Sequence, residues 1–268
     1  MRLFVYIPLI PAFFCLSARS QQLPGNDPEI PSNTPTLNEV NETGILYKYE
    51  MTFGILAHSN GFGLNYRRGR HITGYKKRIF EIEAVNIRHP KEYKGYNPSR
   101  ENAKGYIFGK MNSFLVLRSG IGTQKVITGK SNSGGVELRY IYFGGISLGL
   151  LKPVYLEILK EKGQGNYDII VEQYDPAKHS TYNINGKAPY LKGLDELKII
   201  PGIYGKCGLS FEYGGEMTKI RSIEVGAAFD LFYKRVPIMA ARINGDDFDP
   251  NKEYFLSLYL SLNFGKKW

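Results

Sequence analysis

Apolar and polar residues alternate one by one along most of the chain after residue 44. The final stretch, EYFLSLYLSLNFGKKW, places apolar side chains at every second position. Strict alternation is typical of a β-strand, because successive side chains point to opposite faces. Eight segments follow this pattern: 47–55, 62–67, 80–84, 112–121, 136–150, 203–213, 222–233 and 253–268. The pattern predicts an all-β protein of eight strands, each with one apolar and one polar face.

The connections between these segments alternate in length. Short turns lie around HITG, TGKSNSGG and YGGEMTK, whereas the links from strand three to four, five to six and seven to eight have about 20, 40 and 20 residues. The first hairpin, HSNG, is short where a long loop would be expected. Short turns at one end and long loops at the other are typical of outer-membrane barrels.

Alternation alone does not say whether the apolar face points to lipid or to a ligand-filled interior, as in a soluble lipocalin-like carrier. Aromatic residues near the segment ends favour lipid, since such rings prefer the membrane interface. They are Tyr47, Tyr66, Tyr213, Tyr233, Tyr254 and Phe264. We therefore predict an eight-stranded antiparallel up-and-down transmembrane β-barrel with long extracellular loops.

The predicted polar face carries charges of both signs. Buried charges are tolerated when they are paired, and a narrow barrel brings opposite walls close enough for pairing. We expect a lumen plugged by ion pairs rather than a general pore. The expected network contains Lys48, Glu50, Arg67, Glu81, Glu83, Arg118, Glu137, Arg139, Lys206, Glu212, Glu224 and Asp230.

The chain begins with features of a secretory signal peptide. Arg2 is followed by the apolar run LFVYIPLIPAFFCL and then by Ala18-Arg19-Ser20, which predicts cleavage after residue 20. The run has about 14 residues, fewer than the roughly 20 that a spanning helix needs. Export to the bacterial outer membrane follows from this segment together with the predicted barrel.

Residues 21–43 form a proline-rich stretch with acidic and no basic residues, which predicts a flexible periplasmic lead before a barrel domain at 44–268. Without residues 1–20 the formal net charge falls from +10 to +8, since Arg2 and Arg19 are lost. A basic surface suits anionic lipid or an acidic partner, and export argues against nucleic acid. Cys207 is then the single cysteine, so no internal disulfide can form.

The last strand resembles the C-terminal signal that the outer-membrane assembly machinery recognises. The residues that carry this resemblance are Tyr254, Leu256, Leu258, Leu260, Leu262, Phe264 and Trp268. The GKKW ending, the tyrosine-rich strands and segments such as FGGISLGL are similar to small barrels of the Bacteroidota. The resemblance implies contact with outer-membrane lipid, and with the assembly machinery during biogenesis.

The sequence offers weak support for catalysis, although some eight-stranded barrels modify outer-leaflet lipid. Gly145-Ile146-Ser147-Leu148-Gly149 matches G-x-S-x-G, but that motif requires a strand-to-helix elbow, and here the alternation continues through Ser147. The four histidines, at positions 58, 71, 89 and 179, are far apart in sequence. No Cys and His cluster suggests zinc. We expect neither an enzyme nor a cofactor, and a lipid-modifying enzyme stays the alternative.

The long loops are the best candidates for interaction. They are rich in tyrosine and basic residues, which often anchor protein interfaces. The candidates are Tyr93, Tyr96, Arg100, Tyr174, Tyr182 and Tyr190, and GLDEL suggests a helical turn. The loops form either a cap on the barrel or a docking surface for another outer-membrane protein. The expected function is structural or interactive, as an accessory subunit of an assembly, secretion or uptake machine.

Overall fold

The computed structural model describes residues 47–99, 104–129, 135–163, 166–214, 216, 218–241 and 249–268. The expected signal peptide, the lead and residues 44–46 lie outside these ranges. The described residues form strands, turns and irregular segments, with no helix among them that could cross a membrane. The strands are β1 (Tyr49–His58), β2 (Gly61–Thr73), β3 (Lys76–Ile87), β4 (Lys94–Gly95), β5 (Tyr106–Ile107), β6 (Asn112–Thr128), β7 (Glu137–Pro153), β8 (Tyr155–Gly163), β9 (Asn166–Gln173), β10 (Ile184–Lys187), β11 (Lys198–Tyr213), β12 (Lys219–Phe232) and β13 (Tyr254–Lys267).

Eight of these strands form one closed antiparallel barrel in the order β1-β13-β12-β11-β7-β6-β3-β2. Each barrel strand pairs with the barrel strands before and after it in the chain, so the topology is up-and-down. The last strand closes the sheet against the first, with Phe264 opposite Phe53. Backbone bonds from Lys48 and Tyr49 to the Trp268 carbonyl extend this seam to the end of the chain. The predicted all-β, eight-stranded antiparallel barrel is confirmed.

The strands are longer than the alternating segments. β3, for example, begins at Lys76 rather than at residue 80, because its first residues are charged on both faces and give no hydrophobic period. The short connections lie at the end of the barrel that also carries both described chain termini, which we call the turn end. The opposite end, the loop end, carries the link at 59–60 and the long connections at 88–111, 154–197 and 233–253.

The long connections contain structure that the alternation did not predict. β8, β9 and β10 form a three-stranded sheet, and β4 pairs with β5. The helical turn expected at GLDEL is wrong, since residues 193–196 form turns and a bend and residue 197 is irregular. Gly193 has a φ of +83°, which is outside the helical region, and five residues are too few to offset the cost of helix nucleation.

The apolar face of every barrel strand points outward. Side chains such as Leu258 and Ile55 are 67% and 62% exposed, whereas the alternate residues on the same strands are buried. On β1 the exposed Phe53 lies between the buried Thr52 and Gly54. The outer wall of the barrel is therefore an apolar belt, and the polar side chains of the strands face the lumen.

The lumen is not polar along its whole length. At the loop end it is filled by an apolar plug, in which Phe114 packs its ring against Phe232 and Phe255 at centroid distances of 5.3 and 5.5 Å. Other members are Leu56, Val85, Ile87, Val116, Leu151, Ile200, Val236, Ile238 and Met239. The sequence pattern missed this plug because apolar residues on both faces of a strand end interrupt the alternation.

Candidate functional site

The middle of the lumen holds a network of buried charges. The Arg67 guanidinium donates to both oxygens of Glu224, at 2.6 and 2.8 Å, and its Nε bonds to Glu81. Tyr259 donates its hydroxyl to Glu224 at 2.9 Å. Two barrel strands separate β2 from β12 along the wall, so the Arg67–Glu224 pair crosses the lumen.

Two further cations complete this network. Arg118 bonds to Glu83 and donates to both oxygens of Asp230, at 2.9 and 2.6 Å. Lys206 donates to Glu83 at 2.6 Å and to Glu81 at 3.2 Å. Each of these five side chains is 2% exposed or less, which shows that the charges compensate one another rather than being solvated.

A second group of charges lies toward the turn end. Glu50 pairs with Lys77 at 2.6 Å and with His71 at 3.2 Å. Arg139 lies 2.8 Å from Glu137 and 3.5 Å from Glu212, and Lys267 lies 2.6 Å from Glu212. These side chains are mostly buried, with Glu137 and Lys267 partly exposed near the mouth. This group closes the turn end as the apolar plug closes the loop end.

The placement of Lys48 differs from the expectation. Its side chain is exposed before β1 begins, with its ammonium 5.8 Å from the centre of the Tyr49 ring, and it lies outside the lumen. The predicted segment begins at residue 47, two residues before β1, so the alternation there no longer fixes the direction of the side chains. The other eleven expected members lie on the inward face, paired as described above.

Sequence reasoning missed several lumen side chains. Lys77 is 2% exposed and pairs with Glu50, but KKRIF does not alternate, so its inward face gave no signal. Lys267 lies within the last segment but after Phe264, where the alternation ends, so the pattern did not indicate which way it points. Tyr259 falls on the polar side of the alternation in the last segment, but its hydrogen bond to Glu224 could not be predicted from spacing.

The charge networks leave little space between them among the described residues. The cavity between them, lined by Glu50, Arg67, Gln124, Ser210 and Asn263 among others, measures about 10 Å³, which is close to the space of one water molecule. The rings of Phe143 and Tyr259 lie beside this network, 5.8 and 4.6 Å from the Lys206 ammonium. Side chains therefore plug the interior rather than line an aqueous channel.

The geometry around Ser147 does not suit a catalytic nucleophile. Ser147 lies within β7, its side chain is fully buried, and its hydroxyl lacks a described hydrogen-bond partner. His89 and His179 sit in the loops, where their ring nitrogens contact Pro250 and Glu172. Across the described parts of the chain, no group of His, Cys, Asp and Glu side chains is arranged to hold a metal ion.

The long connections pack into one loop assembly, formed by residues 88–99, 104–111, 154–163, 166–197 and 233–241. It has an apolar core of Tyr106, Leu156, Ile158, Tyr174 and Ile184. The Gly109 amide donates to the Tyr174 hydroxyl at 3.1 Å, and the Asn97 amide group donates to the carbonyls of Tyr182 and Ile184. The loops are therefore folded against one another above the plug.

Tyr174 is not available as an interaction residue. It is 2% exposed, because its ring belongs to the core of the loop assembly. Tyr93, Tyr96, Tyr182 and Tyr190 are exposed by 78%, 58%, 70% and 62%. Arg100 lies outside the described residues. Four of the six candidate side chains thus remain on the surface of the loop assembly.

A basic cleft opens between the loop assembly and the rim of the barrel. It has a volume of about 630 Å³, and the charged side chains around it are Arg88, Lys94, Lys110, Lys187 and Glu92. Glu92 is the one carboxylate among the described lining residues, and it bonds to Lys110 at 2.6 Å. Burial lowers the pKa of Lys110, with Glu92 opposing the shift and Arg88 and Lys187 adding to it.

Tyr190 forms one wall of this cleft. The ammonium groups of Lys152 and Lys187 lie 4.3 and 5.4 Å from the centre of its ring, and Lys152 donates to the Tyr190 carbonyl at 2.6 Å. An exposed aromatic ring beside two cations can contact a partner while the cations attract negative charge. The chemistry of the cleft suits a partner that brings carboxylates or other anions.

The residues of the expected assembly signal lie along the outer face of β13. Tyr254, Leu256, Leu258, Leu260, Leu262 and Phe264 are all exposed to the surroundings of the barrel. Trp268 is 48% exposed at the turn end, and its backbone is bonded to Tyr49. The outer face of β13, the last strand, is therefore continuously apolar, and the chain ends there in the indole ring of Trp268.

No family model matches the chain, and no curated protein matches it significantly in sequence. Three solved structures similar to it are Neisserial surface protein A, Ail of Yersinia pestis, and the N-terminal β-barrel domain of OprF from Pseudomonas aeruginosa. The first is 10% identical, with a TM-score of 0.39, over 83% of this chain and 97% of that one. Ail is 9% identical, with a TM-score of 0.37, over 83% of this chain and 99% of that one. The OprF domain is 7% identical, with a TM-score of 0.32, over 82% of this chain and 97% of that one. These values assign no family.

Proposed function

We propose that the chain is a non-enzymatic β-barrel of the bacterial outer membrane that presents its loop assembly to another outer-membrane protein. One observation carries the membrane assignment. The barrel buries ion pairs such as Arg67–Glu224 inside and leaves side chains such as Leu258 and Ile55 exposed outside. This is the reverse of a water-soluble barrel, whose apolar faces pack inward.

Hydrocarbon around the belt accounts for both halves of this arrangement. In lipid every backbone polar group must be bonded, and the closed sheet leaves no free edge. In water the same belt would be an apolar patch far larger than the few hundred Å² that soluble monomers usually expose. The soluble ligand carrier is also disfavoured because the described cavity between the charge networks has space for about one water molecule rather than for a ligand.

The direction of insertion follows from the two ends. Outer-membrane barrels have short turns on the periplasmic side and longer loops outside. The proposed orientation therefore places the turn end in the periplasm and the loop assembly at the cell surface. The exposed apolar outer face of β13 supports recognition by the outer-membrane assembly machinery. The resemblance to Bacteroidota barrels supports that bacterial group as the source.

The loop assembly supports an interaction role as an accessory subunit of an assembly, secretion or uptake machine. Loops folded around an apolar core form a shaped surface, and the basic cleft beside Tyr190 gives that surface a charge. Tyrosine and arginine are enriched among residues that anchor interfaces. We propose that the partner is an outer-membrane protein with an acidic, surface-exposed segment that enters this cleft.

A lipid-modifying enzyme is the less favoured function. A nucleophile must reach its substrate, and Ser147 is fully buried within a strand. Ser147→Ala and a substitution of each histidine, followed by analysis of cellular lipid A, test this alternative. Unchanged lipid A in every variant supports the non-enzymatic function, and an altered lipid A in any of them would establish an enzyme.

Labelling of the native Cys207 tests the membrane assignment. This free cysteine is exposed on the outer face of β11, level with Tyr142 and Ala227. A dye on Cys207 should be quenched by acyl-chain quenchers placed deep in the bilayer and not by water-soluble iodide. Recovery of the mature protein in the periplasmic fraction, or quenching by iodide alone, would contradict the proposal.

Site-specific crosslinking in cells tests the interaction role. A photo-crosslinking residue in place of Tyr182 or Tyr190 should give one discrete adduct, and Lys187→Glu should weaken it by reversing the charge of the cleft. The same residue in place of Tyr213, at the turn end, is the matched control. An adduct that is equally strong at Tyr213, or that is indifferent to Lys187→Glu, would reject docking at the cleft.

A further inference from the structure

The outer wall of the barrel carries a basic collar at the turn end, just below the apolar belt. Its members are exposed Lys and Arg side chains that point away from the lumen. They are Arg68 and Arg70 on β2, Lys76 and Arg78 on β3, Lys125 on β6, Lys219 and Arg221 on β12, and Lys266 on β13. The strands thus change from apolar to cationic within a few residues on their outward face.

The register of the strands places like charges directly opposite each other in this collar. Arg70 is opposite Arg78, Lys76 is opposite Lys125, and Lys219 is opposite Lys266. Like charges at directly opposed positions destabilise a sheet. Lys219 is 2.7 Å from Glu216, whereas no ion pair between described residues involves Arg70 or Arg78. An anion supplied from outside the chain would offset the repulsion at this arginine pair.

A groove of about 730 Å³ lies at the same place on the outer wall. Arg68, Arg70 and Arg78 line it together with Lys48, and the described lining residues include no carboxylate. Its apolar lining residues include Phe80, Ile121 and Tyr49. The groove thus has a cationic part at the turn end and an apolar part that continues into the belt. The next outward-facing residue of β3 after Phe80, toward the loop end, is the exposed Ile82.

We propose that this groove binds an anionic phospholipid of the periplasmic leaflet, with the phosphate held between Arg70 and Arg78 and an acyl chain lying over Phe80 and Ile121. The inference rests on the proposed function, which places the turn end in that leaflet. Guanidinium groups bind phosphate through two hydrogen bonds at once, and long basic side chains reach from the edge of a belt to headgroups. Arg68 and Lys48 add charge beside them.

The apolar part of the groove favours a lipid over other anions. Free phosphate would contact only the arginines and would leave Phe80 and Ile121 without a partner. An acidic protein segment would have to enter at the level where the belt meets headgroups. A phospholipid supplies both a phosphate and a chain in the required order along the wall.

The test uses the mature protein refolded in detergent micelles and transferred to nanodiscs, with insertion scored first by the Cys207 dye. Native mass spectrometry then measures how much phosphatidylglycerol and phosphatidylcholine the protein retains after partial delipidation. The wild type should prefer phosphatidylglycerol. The double variant Arg70→Gln/Arg78→Gln should lose this preference by about thirtyfold, since each basic side chain near anionic lipid contributes about 1 kcal/mol.

The matched control is Lys160→Gln/Lys178→Gln, which removes two exposed charges from the loop assembly and should leave the preference unchanged. Glycerol phosphate at the same concentration should not displace the retained lipid, because it lacks a chain. Equal retention of both lipids by the wild type, displacement by glycerol phosphate, or an unchanged double variant would overturn the lipid site. Failure of the wild type to insert would instead overturn the proposed function.

Discussion

Arg67 on β2 and Glu224 on β12 face each other across the lumen and are joined by two parallel hydrogen bonds of 2.6 and 2.8 Å. The same arginine bonds to Glu81, its register neighbour on β3. One side chain thus connects three strands, and β12 is far from β2 and β3 in the sequence. Because the pair is almost fully buried, either partner alone would be a charge without a counter-charge.

Removal of Arg67 should therefore destabilise the barrel strongly. Arg67→Met leaves two buried carboxylates that were bonded to the guanidinium, and breaking a buried pair costs about 3–5 kcal/mol. Urea unfolding in lipid vesicles, followed by the heat-dependent shift in gel migration, measures this cost. The double variant Arg67→Met/Glu224→Gln should be less destabilised than the sum of its single variants.

The exposed pair of Lys162 and Asp168 supplies the control for this experiment. Their charged groups lie 3.0 Å apart, but both side chains are more than half exposed. Asp168→Asn should change the free energy of unfolding by less than about 1 kcal/mol, since surface ion pairs contribute little. Strictly additive effects of Arg67→Met and Glu224→Gln would show that the two residues do not interact across the lumen.

The apolar plug and the charge networks should close the barrel independently. Phe114→Ala removes a buried ring that contacts Phe232 and Phe255, which should cost about 3–5 kcal/mol of stability. It should not open a channel, because the Arg67–Glu224 pair still spans the lumen below it. Planar bilayer recordings of the wild type and of Phe114→Ala should both lack stable conductance steps. A steady conductance in Phe114→Ala would show that the plug alone blocks the lumen.

The barrel could be predicted from the sequence because alternation and connection length are local properties of the chain. The outward Leu256, Leu258 and Leu260 follow from counting by two. The partner of each lumen charge could not be predicted, since Arg67 bonds to a residue 157 positions away and the shear of the barrel decides which strands meet.

The loop assembly was the least predictable part. Tyr174 and Tyr182 are both tyrosines of the same long connection, yet the first is buried and the second is 70% exposed. The difference arises because the β8–β10 sheet folds over the first residue and leaves the second outside. Neither spacing nor composition reports such packing between three separate loops.

The apolar belt predicts a depth-dependent effect of charge. Leu260 lies at the centre of β13 and is 48% exposed. An arginine on the lipid face near the bilayer centre costs about 2–4 kcal/mol in membrane barrels. Leu260→Arg should lower the free energy of unfolding in vesicles by this amount, whereas Leu191→Arg, on the exposed surface of the loop assembly, should have little effect. Equal and small effects would indicate that water surrounds the belt.

The stability of the loop assembly should depend on pH through Glu157. Lys104 donates to this carboxylate at 2.6 Å and Asn185 at 2.9 Å, and the hydrogen bond from Lys104 is the main reason that the pKa of Glu157 lies below its usual 4.5. A carboxyl whose pKa is lowered by folding stabilises the fold above its unfolded pKa, and the stabilisation is lost as the pH falls through the folded value. Amide protection in β8 and β10 should thus be constant near neutral pH and decline below about pH 4.5.

Hydrogen exchange measures this dependence at two amides that bond across the β8–β10 pair: Leu159 in β8 donates to the Asn183 carbonyl, and Ala188, just after β10, donates to the Tyr155 carbonyl. Protection factors corrected for the intrinsic effect of pH should fall in the wild type as the medium becomes acidic. Glu157→Gln should be less protected at neutral pH and should lose the part of the acid dependence that Glu157 contributes. Amides of β6 and β7 in the barrel serve as internal references. If the wild type and Glu157→Gln gave parallel profiles, the hydrogen bonds of Glu157 would not stabilise the loop assembly, and its cohesion would have to come from the packing of Tyr174 and Ile184.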